Sequence, residues 1–269
     1  MEEQLRTYGS GPGPAGATLS DGVVLKTAGP WAPGVIALLR HLEAAGFRGA
    51  PRVVGDGYAR DGRLAVTYLP GSSPHPRAWP STEAVARIGV LLRELHTATS
   101  TFRPPPGVSW QPVDLGGVPA VHGHRDPGPW NIVGTGGSPA AFIDWEAAGP
   151  VDPMPELAAA AWLNAQLHDD DIAALHDLPD ARFRAEQARA LLDGYGVDRA
   201  TREDFVDRLL DVALRGARAE AIEHHVTQES TEAVTPGGYP VMWGITWRAR
   251  SASWIARHRG LLREVLRSG

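Results

Sequence analysis

The stretch His124-Arg125-Asp126-Pro127-Gly128-Pro129-Trp130-Asn131, followed by Phe142-Ile143-Asp144-Trp145-Glu146, constrains this chain more than any other part of it. It sets an acid, an amide five residues later, and a second acid at the end of an apolar run. Phosphoryl transfer needs such a combination. One carboxylate positions and deprotonates an attacking hydroxyl, while an amide oxygen and a second carboxylate hold a magnesium ion that neutralises phosphates. Asp126 or Asn131 alone reads equally well as a turn former. Together, with Asp144 after the strand Ala141-Phe142-Ile143, they favour chemistry.

The chain is long enough, at 269 residues, for one large domain or two lobes around a sizeable core. Hydrophobic residues make up 43% and charged residues 21%, which reads as globular. The absence of cysteine excludes disulfides, a thiolate nucleophile and cysteine-ligated zinc, and fits an expectation of a cytoplasmic protein. Met1-Glu2-Glu3-Gln4 does not open a signal peptide, and no run reaches the ~18 apolar residues of a membrane span. A formal charge of −5 argues against nucleic acid as a partner, and no membrane partner is expected.

Residues 7 to 22 are rich in glycine and proline and read as a terminal turn region; the prolines lack the N–H donors a phosphate would want. Val23-Val24-Leu25-Lys26 reads as a strand. Val35, Leu38, Leu39 and Leu42 recur at helical spacing, with Gly46 as the stop. Val53-Val54-Gly55 and residues 64–69 read as further strands, the second broken by Pro70-Gly71. Beyond a linker at 71–80, helices dominate. Ser81 caps one carrying Val85, Ile88, Leu92 and Leu95. Others run from Glu156 to Leu167, from Phe183 to Leu192 with Gly194 as the stop, and from a cap at Thr201 through Phe205, Leu209 and Val212. A last helix carries Trp247, Trp254, Ile255, Leu261 and Val265. Residues 103–120 are irregular and 227–240 read as a loop.

The string from Val121 to Val133, then Phe142 to Pro153, then Glu156-Leu157-Ala158, resembles the aminoglycoside phosphotransferase family. Tyr68-Leu69-Pro70-Gly71 and Leu92-Arg93-Glu94-Leu95-His96 agree with it. The resemblance implies an α+β, protein-kinase-like fold, with a small N-terminal α/β lobe over residues 1–70 and a mainly helical lobe over 72–269. It implies a kinase that moves the γ-phosphoryl of ATP or GTP to a hydroxyl of a small molecule, with an aminoglycoside or related antibiotic as the namesake acceptor. Asp126 is then the catalytic base, Asn131 and Asp144 the Mg2+ ligands, and Lys26 the partner of the α- and β-phosphates. The backbone of Thr67, Tyr68 and Leu69 meets the purine edge. A catalytically impaired nucleotide- or ligand-binding relative, and a natural-product biosynthetic enzyme, are the alternatives.

Three departures from the family pattern stand out. The helix after Lys26 offers Val35, Ile36 and Ala37 where a glutamate would pair with the lysine, and Glu43 lies at its far end. Arg125 replaces a small residue and either touches a phosphate or substrate acid or points to solvent. Glu156 replaces an aspartate. Among the remaining signals, His124 reads as an orienting or packing group, and His122 with His124 lacks a third zinc ligand. Trp130 and Trp145 read as packing for the loop. Asp169-Asp170-Asp171 reads as a solvated helix end or loop rather than a polyamine site.

Overall fold

A computed structural model describes residues 17–231 and 239–268. The part of the N-terminal glycine/proline segment before residue 17, and residues 232–238 of the expected 227–240 loop, lie outside the described residues. The first layer is a four-stranded antiparallel sheet, with β1 (Thr18–Ser20), β2 (Val23–Lys26), β3 (Val53–Tyr58) and β4 (Leu64–Thr67) in the order β1-β2-β4-β3. β2 alternates half-buried and buried positions, so Lys26 shares the buried face with Val24. Helix α1 (Ala32–Ala44) covers the sheet with Val35, Leu38, Leu39 and Leu42, as their spacing predicted.

The remainder is mainly helical. α2 (Thr82–Thr99) begins at Ser81, whose hydroxyl accepts from the Ala84 N–H at 3.2 Å. Two short strand pairs carry the motif region: β5 (Val121–Gly123) with β8 (Gly149–Val151), and the hairpin of β6 (Ile132–Thr135) and β7 (Ser138–Phe142). There follow α3 (Pro153–Asn164), α4 (Asp170–Leu175), α5 (Ala181–Tyr195), α6 (Phe205–Glu223), α7 (Val241–Arg257) and α8 (Arg259–Arg267).

Four expectations need correction. Gly194 does not stop α5, because a β-carbon there would stand 2.0 Å from the Ala86 carbonyl oxygen. Gly89 on α2 mirrors it, 2.0 Å from the Leu191 carbonyl. The pair lets two helix backbones touch, and Gly196, at φ 86°, provides the left-handed cap. α3 starts earlier than Glu156, at Pro153, capped by the Asp152 carboxylate on the Met154 N–H at 2.9 Å. Thr201 caps nothing; its N–H and hydroxyl both bond Asp198, and α6 begins at Phe205. The last helix is two, broken at His258, whose ring stacks 4.0 Å from Trp254.

The helical core buries His168, on the turn after α3, against the Trp247 ring at a centroid distance of 5.0 Å. Burial, with the positive charges of Arg184, His75 and His176 nearby, pushes its pKa down to about 3. The unfolded chain therefore binds a proton below about pH 6.5 that the folded chain refuses. Stability is fully present above that pH and is lost as pH falls toward 3. Between pH 7 and pH 5 this histidine alone is expected to cost about 2 kcal/mol. Urea unfolding at the two pH values should show that loss in the natural chain and a clearly smaller one in His168→Gln. Equal losses would refute the neutral buried histidine.

Candidate functional site

The register Ile132↔Phe142 sets the end of the motif loop beside the residue that follows β7. The Ile143 N–H donates to the Asn131 carbonyl at 2.9 Å, so Asn131 and Asp144 are joined through one backbone bond. The Asn131 side-chain amide donates to the Asp126 carbonyl at 3.0 Å and to Asp126 Oδ2 at 2.7 Å. Trp130 Nε1 donates to the same Oδ2 at 3.3 Å. Both donors grip one oxygen, and Asp126 Oδ1 has no donor among the described residues. Burial raises the Asp126 carboxyl above the ordinary range and the charge of Asp144 raises it further, while His124, Trp130 and Arg248 act the other way.

Lys26 arrives from the sheet and forms an ion pair with Asp144. Its second partner is Glu146, at 2.9 Å, which the sequence reading did not single out. Asp144 sits at φ 61° and starts a one-turn 3-10 helix, Trp145–Ala147, which brings the carboxylate two residues on back toward the same lysine. Burial pulls the ammonium down, but the two carboxylates outweigh it and hold the pKa above its ordinary value. A second acid two residues after Asp144 was the available signal. Glu43, the helix acid, instead faces Arg52 at 3.8 Å.

Arg125 does not point to solvent; its guanidinium is spent on backbone carbonyls. It is buried and donates to the carbonyls of Ala147 at 2.6 Å, Gln111 at 2.8 Å, Val113 at 3.2 Å and Ala148 at 3.2 Å. It staples the irregular 103–120 segment to the turn behind Asp144. Arg125 and Asp144 both have positive φ, a conformation that costs a non-glycine residue about 1–3 kcal/mol. The four guanidinium bonds help to offset it at Arg125.

Beneath the loop, Glu156 is fully buried and accepts from the Arg125 N–H and from His96 Nε2 at 2.7 Å. His96 Nδ1 lies 2.8 Å from the Tyr195 hydroxyl. Glutamate reaches both donors because Gly123 leaves room; a β-carbon there would stand 1.8 Å from Glu156 Oε2. His124 is a packing and orienting group, with Nε2 donating to the Ile143 carbonyl at 2.8 Å and its ring against Phe142 and Trp145. His122 packs between Phe102 and Trp110.

Thr67, Tyr68 and Leu69 lie at the end of β4, on the sheet that carries Lys26. The Thr67 N–H donates to the Arg52 carbonyl and the Tyr68 N–H to the Gly22 carbonyl, both at 2.8 Å. The acidic run at 169–171 is a helix end, as expected, with Asp170 and Asp171 exposed, and it is not a free anionic patch. It forms the start of α4, and Asp169 pairs with Arg250 and Arg257.

Among the described residues no cluster of three or more His, Asp or Glu side chains could hold a metal ion. The donors that do meet are an amide and carboxylates, all hard oxygens of the kind magnesium takes. Asp144 and Glu146 face one ammonium, and the mutual repulsion of Asp126 and Asp144 is the kind a cation relieves. The residues thus fit a divalent ion. No helix among the described residues is long and apolar enough to cross a membrane.

No family profile matches the sequence. The chain is 47% identical over 260 residues to the trifolitoxin immunity protein of Rhizobium leguminosarum bv. trifolii, covering 96% of this chain and 97% of that protein. In fold it is similar to a microcompartment-associated aminopropanol kinase, with a TM-score of 0.58 and 13% identity over 97% of this chain and 98% of the other. It is also similar to an ADP-bound aminoglycoside phosphotransferase, with a TM-score of 0.52 and 14% identity over 95% and 92% of the two chains. The chain belongs to the family of the trifolitoxin immunity protein, and it carries the α+β, protein-kinase-like fold of the aminoglycoside phosphotransferases.

Proposed function

We propose that this chain is a magnesium-dependent phosphotransferase that moves the γ-phosphoryl group of ATP or GTP to a hydroxyl of a small molecule. One observation carries the reading. Asp126, Asn131, Asp144 and Lys26 come from a loop, a strand end and a separate sheet, yet they are joined by direct or adjacent hydrogen bonds and ion pairs. The nucleotide would lie between the sheet layer ending near residue 70 and the helical part from residue 72, with the 67–69 backbone at its base and Lys26 at its phosphates. Asn131 and Asp144 would hold the metal, which supplies charge neutralisation on the phosphates. Asp126, gripped through Oδ2, would use Oδ1 to orient the acceptor hydroxyl and take its proton. A carboxyl raised by burial suits that task. The relative's name brings a protective role to the proposal, with a toxin or antibiotic as the acceptor.

The impaired-relative alternative drew on the missing helix glutamate. Glu146 weakens it, since Lys26 has a second carboxylate partner. Thermal unfolding with ATP or GTP is the direct test. At a hundredfold excess over Kd, nucleotide with Mg2+ should stabilise the fold by about 2.7 kcal/mol. Asp144→Asn should weaken the Mg2+-dependent part about 10–100-fold or more. Mass spectrometry across aminoglycosides, nucleosides and amino alcohols then seeks the added phosphate. No nucleotide binding at all would sink the proposal.

A further inference from the structure

The helical wall beside Asp126 has a composition of its own. Trp162 and Trp247 stack at 5.4 Å with 28° between their planes. The Arg248 guanidinium lies 5.2 Å from the Trp247 ring centroid. Its Nη1 is anchored by Glu220 Oε2 and by the Gly244 carbonyl, each at 3.0 Å. Tyr239 is its further polar neighbour, which still leaves part of the guanidinium's N–H donors without an acceptor among the described residues. The Trp162 indole N–H is buried and also lacks an acceptor. This wall adjoins the motif loop. Trp162 precedes by two residues Asn164, whose amide donates to the Pro127 carbonyl at 2.7 Å, and Arg248 is within electrostatic reach of Asp126.

Hydrogen-bond donors therefore outnumber free acceptors on this side. The acids that could meet a polycation are occupied. Glu220 accepts from Tyr239 at 3.1 Å as well as from Arg248. Asp169 and Asp171 pair with Arg250 at 2.9 Å and 2.7 Å, and Asp170 accepts from Trp254 at 2.9 Å. Among the described residues of this wall, an aminoglycoside's ammonium groups would find an arginine and no unpaired carboxylate beyond the catalytic one.

We propose that the acceptor subsite takes a hydroxyl compound bearing a planar unsaturated group, packed against Trp247, and a carboxylate, paired with Arg248, and that it disfavours polycations. This rests on the phosphotransferase reading above. In the reaction the acceptor oxygen bonds to the γ-phosphorus, the bond from that phosphorus to the β,γ-bridging oxygen breaks, the nucleoside diphosphate leaves with the electron pair, and the hydroxyl proton passes to Asp126.

The test uses the full chain and three probes: para-hydroxymethylbenzoate, para-hydroxymethylbenzylamine, which differs from the first in its charged group, and kanamycin. Binding is measured by saturation-transfer NMR without nucleotide, and Mg2+-nucleotide binding is measured on the same preparation. The benzoate should bind about tenfold or more tighter than the amine and kanamycin. Because Arg248→Glu alone sets two acids together, the charge swap Arg248→Glu/Glu220→Arg accompanies it. The swap should cut the benzoate's advantage about tenfold or more. Trp247→Ala should weaken both aromatic probes alike. A wild-type preference for the amine or kanamycin, a preference unchanged by the swap, or no binding of the benzoate up to about 10 mM would overturn the proposal. Failure of the phosphotransferase reading would show separately, as loss of nucleotide binding.

Discussion

Asp126→Asn is expected to lower phosphoryl transfer by about 10²–10⁴-fold while leaving Mg2+-nucleotide affinity within about twofold. The asparagine keeps the volume and an oxygen that can still accept from Asn131 and Trp130, whose bonds to Oδ2 hold the side chain at 2.7 Å and 3.3 Å. It loses the charge that accepts the hydroxyl proton. Single-turnover phosphate transfer, with nucleotide binding followed by calorimetry, separates the two quantities. Undiminished transfer would remove Asp126 from the role of base. A parallel collapse of nucleotide affinity would instead make it part of the phosphate and metal cradle.

Glu156→Ala is expected to destabilise the fold by about 3–5 kcal/mol, the usual cost of removing one partner from a buried charged network. It strands the Arg125 N–H and His96 Nε2 together, and both sit under the motif loop. Glu156→Gln, which keeps an acceptor for one of them, should lose about 1–3 kcal/mol. The pH dependence follows from the same contacts. Burial pushes the Glu156 carboxyl up, but the hydrogen bond and charge of His96, the Arg125 N–H and the charge of His124 hold it below its ordinary value. A depressed carboxyl contributes stability above its unfolded pKa of about 4.3 and loses it as pH falls through the lower folded value. Denaturant unfolding between pH 7 and pH 3 should therefore show an acid loss in the natural chain, beyond that of His168, that is absent from Glu156→Gln. A loss under about 1 kcal/mol for the alanine variant at pH 7 would mean that water replaces the network at little cost.

The motif residues were legible because each is read locally. Asp126 and Asn131 are five positions apart in one loop, and Asp144 ends an apolar strand. Helical faces such as that of α1 were legible for the same reason. Three matters were not. Gly194 has the signature of a helix stop, and only the approach of α2 to α5 turns it into a contact point. Arg125 offers a charge that reads as a ligand group, and only the approach of the 111–113 and 147–148 backbones satisfies it internally. Glu146 is a second acid two residues after Asp144, but only the left-handed turn at Asp144 folds it back on Lys26.

Taken alone, the order of residues determined which groups can donate oxygens, protons and charge, because spacing along one loop or strand is a covalent fact. The tertiary structure decided which of them are spent. Whether Arg125, Asp169, Glu146 or Arg248 meets a ligand depends on partners tens of residues away. Burial makes a partner for each charge obligatory, because an unpaired ion away from water costs far more than a paired one gains.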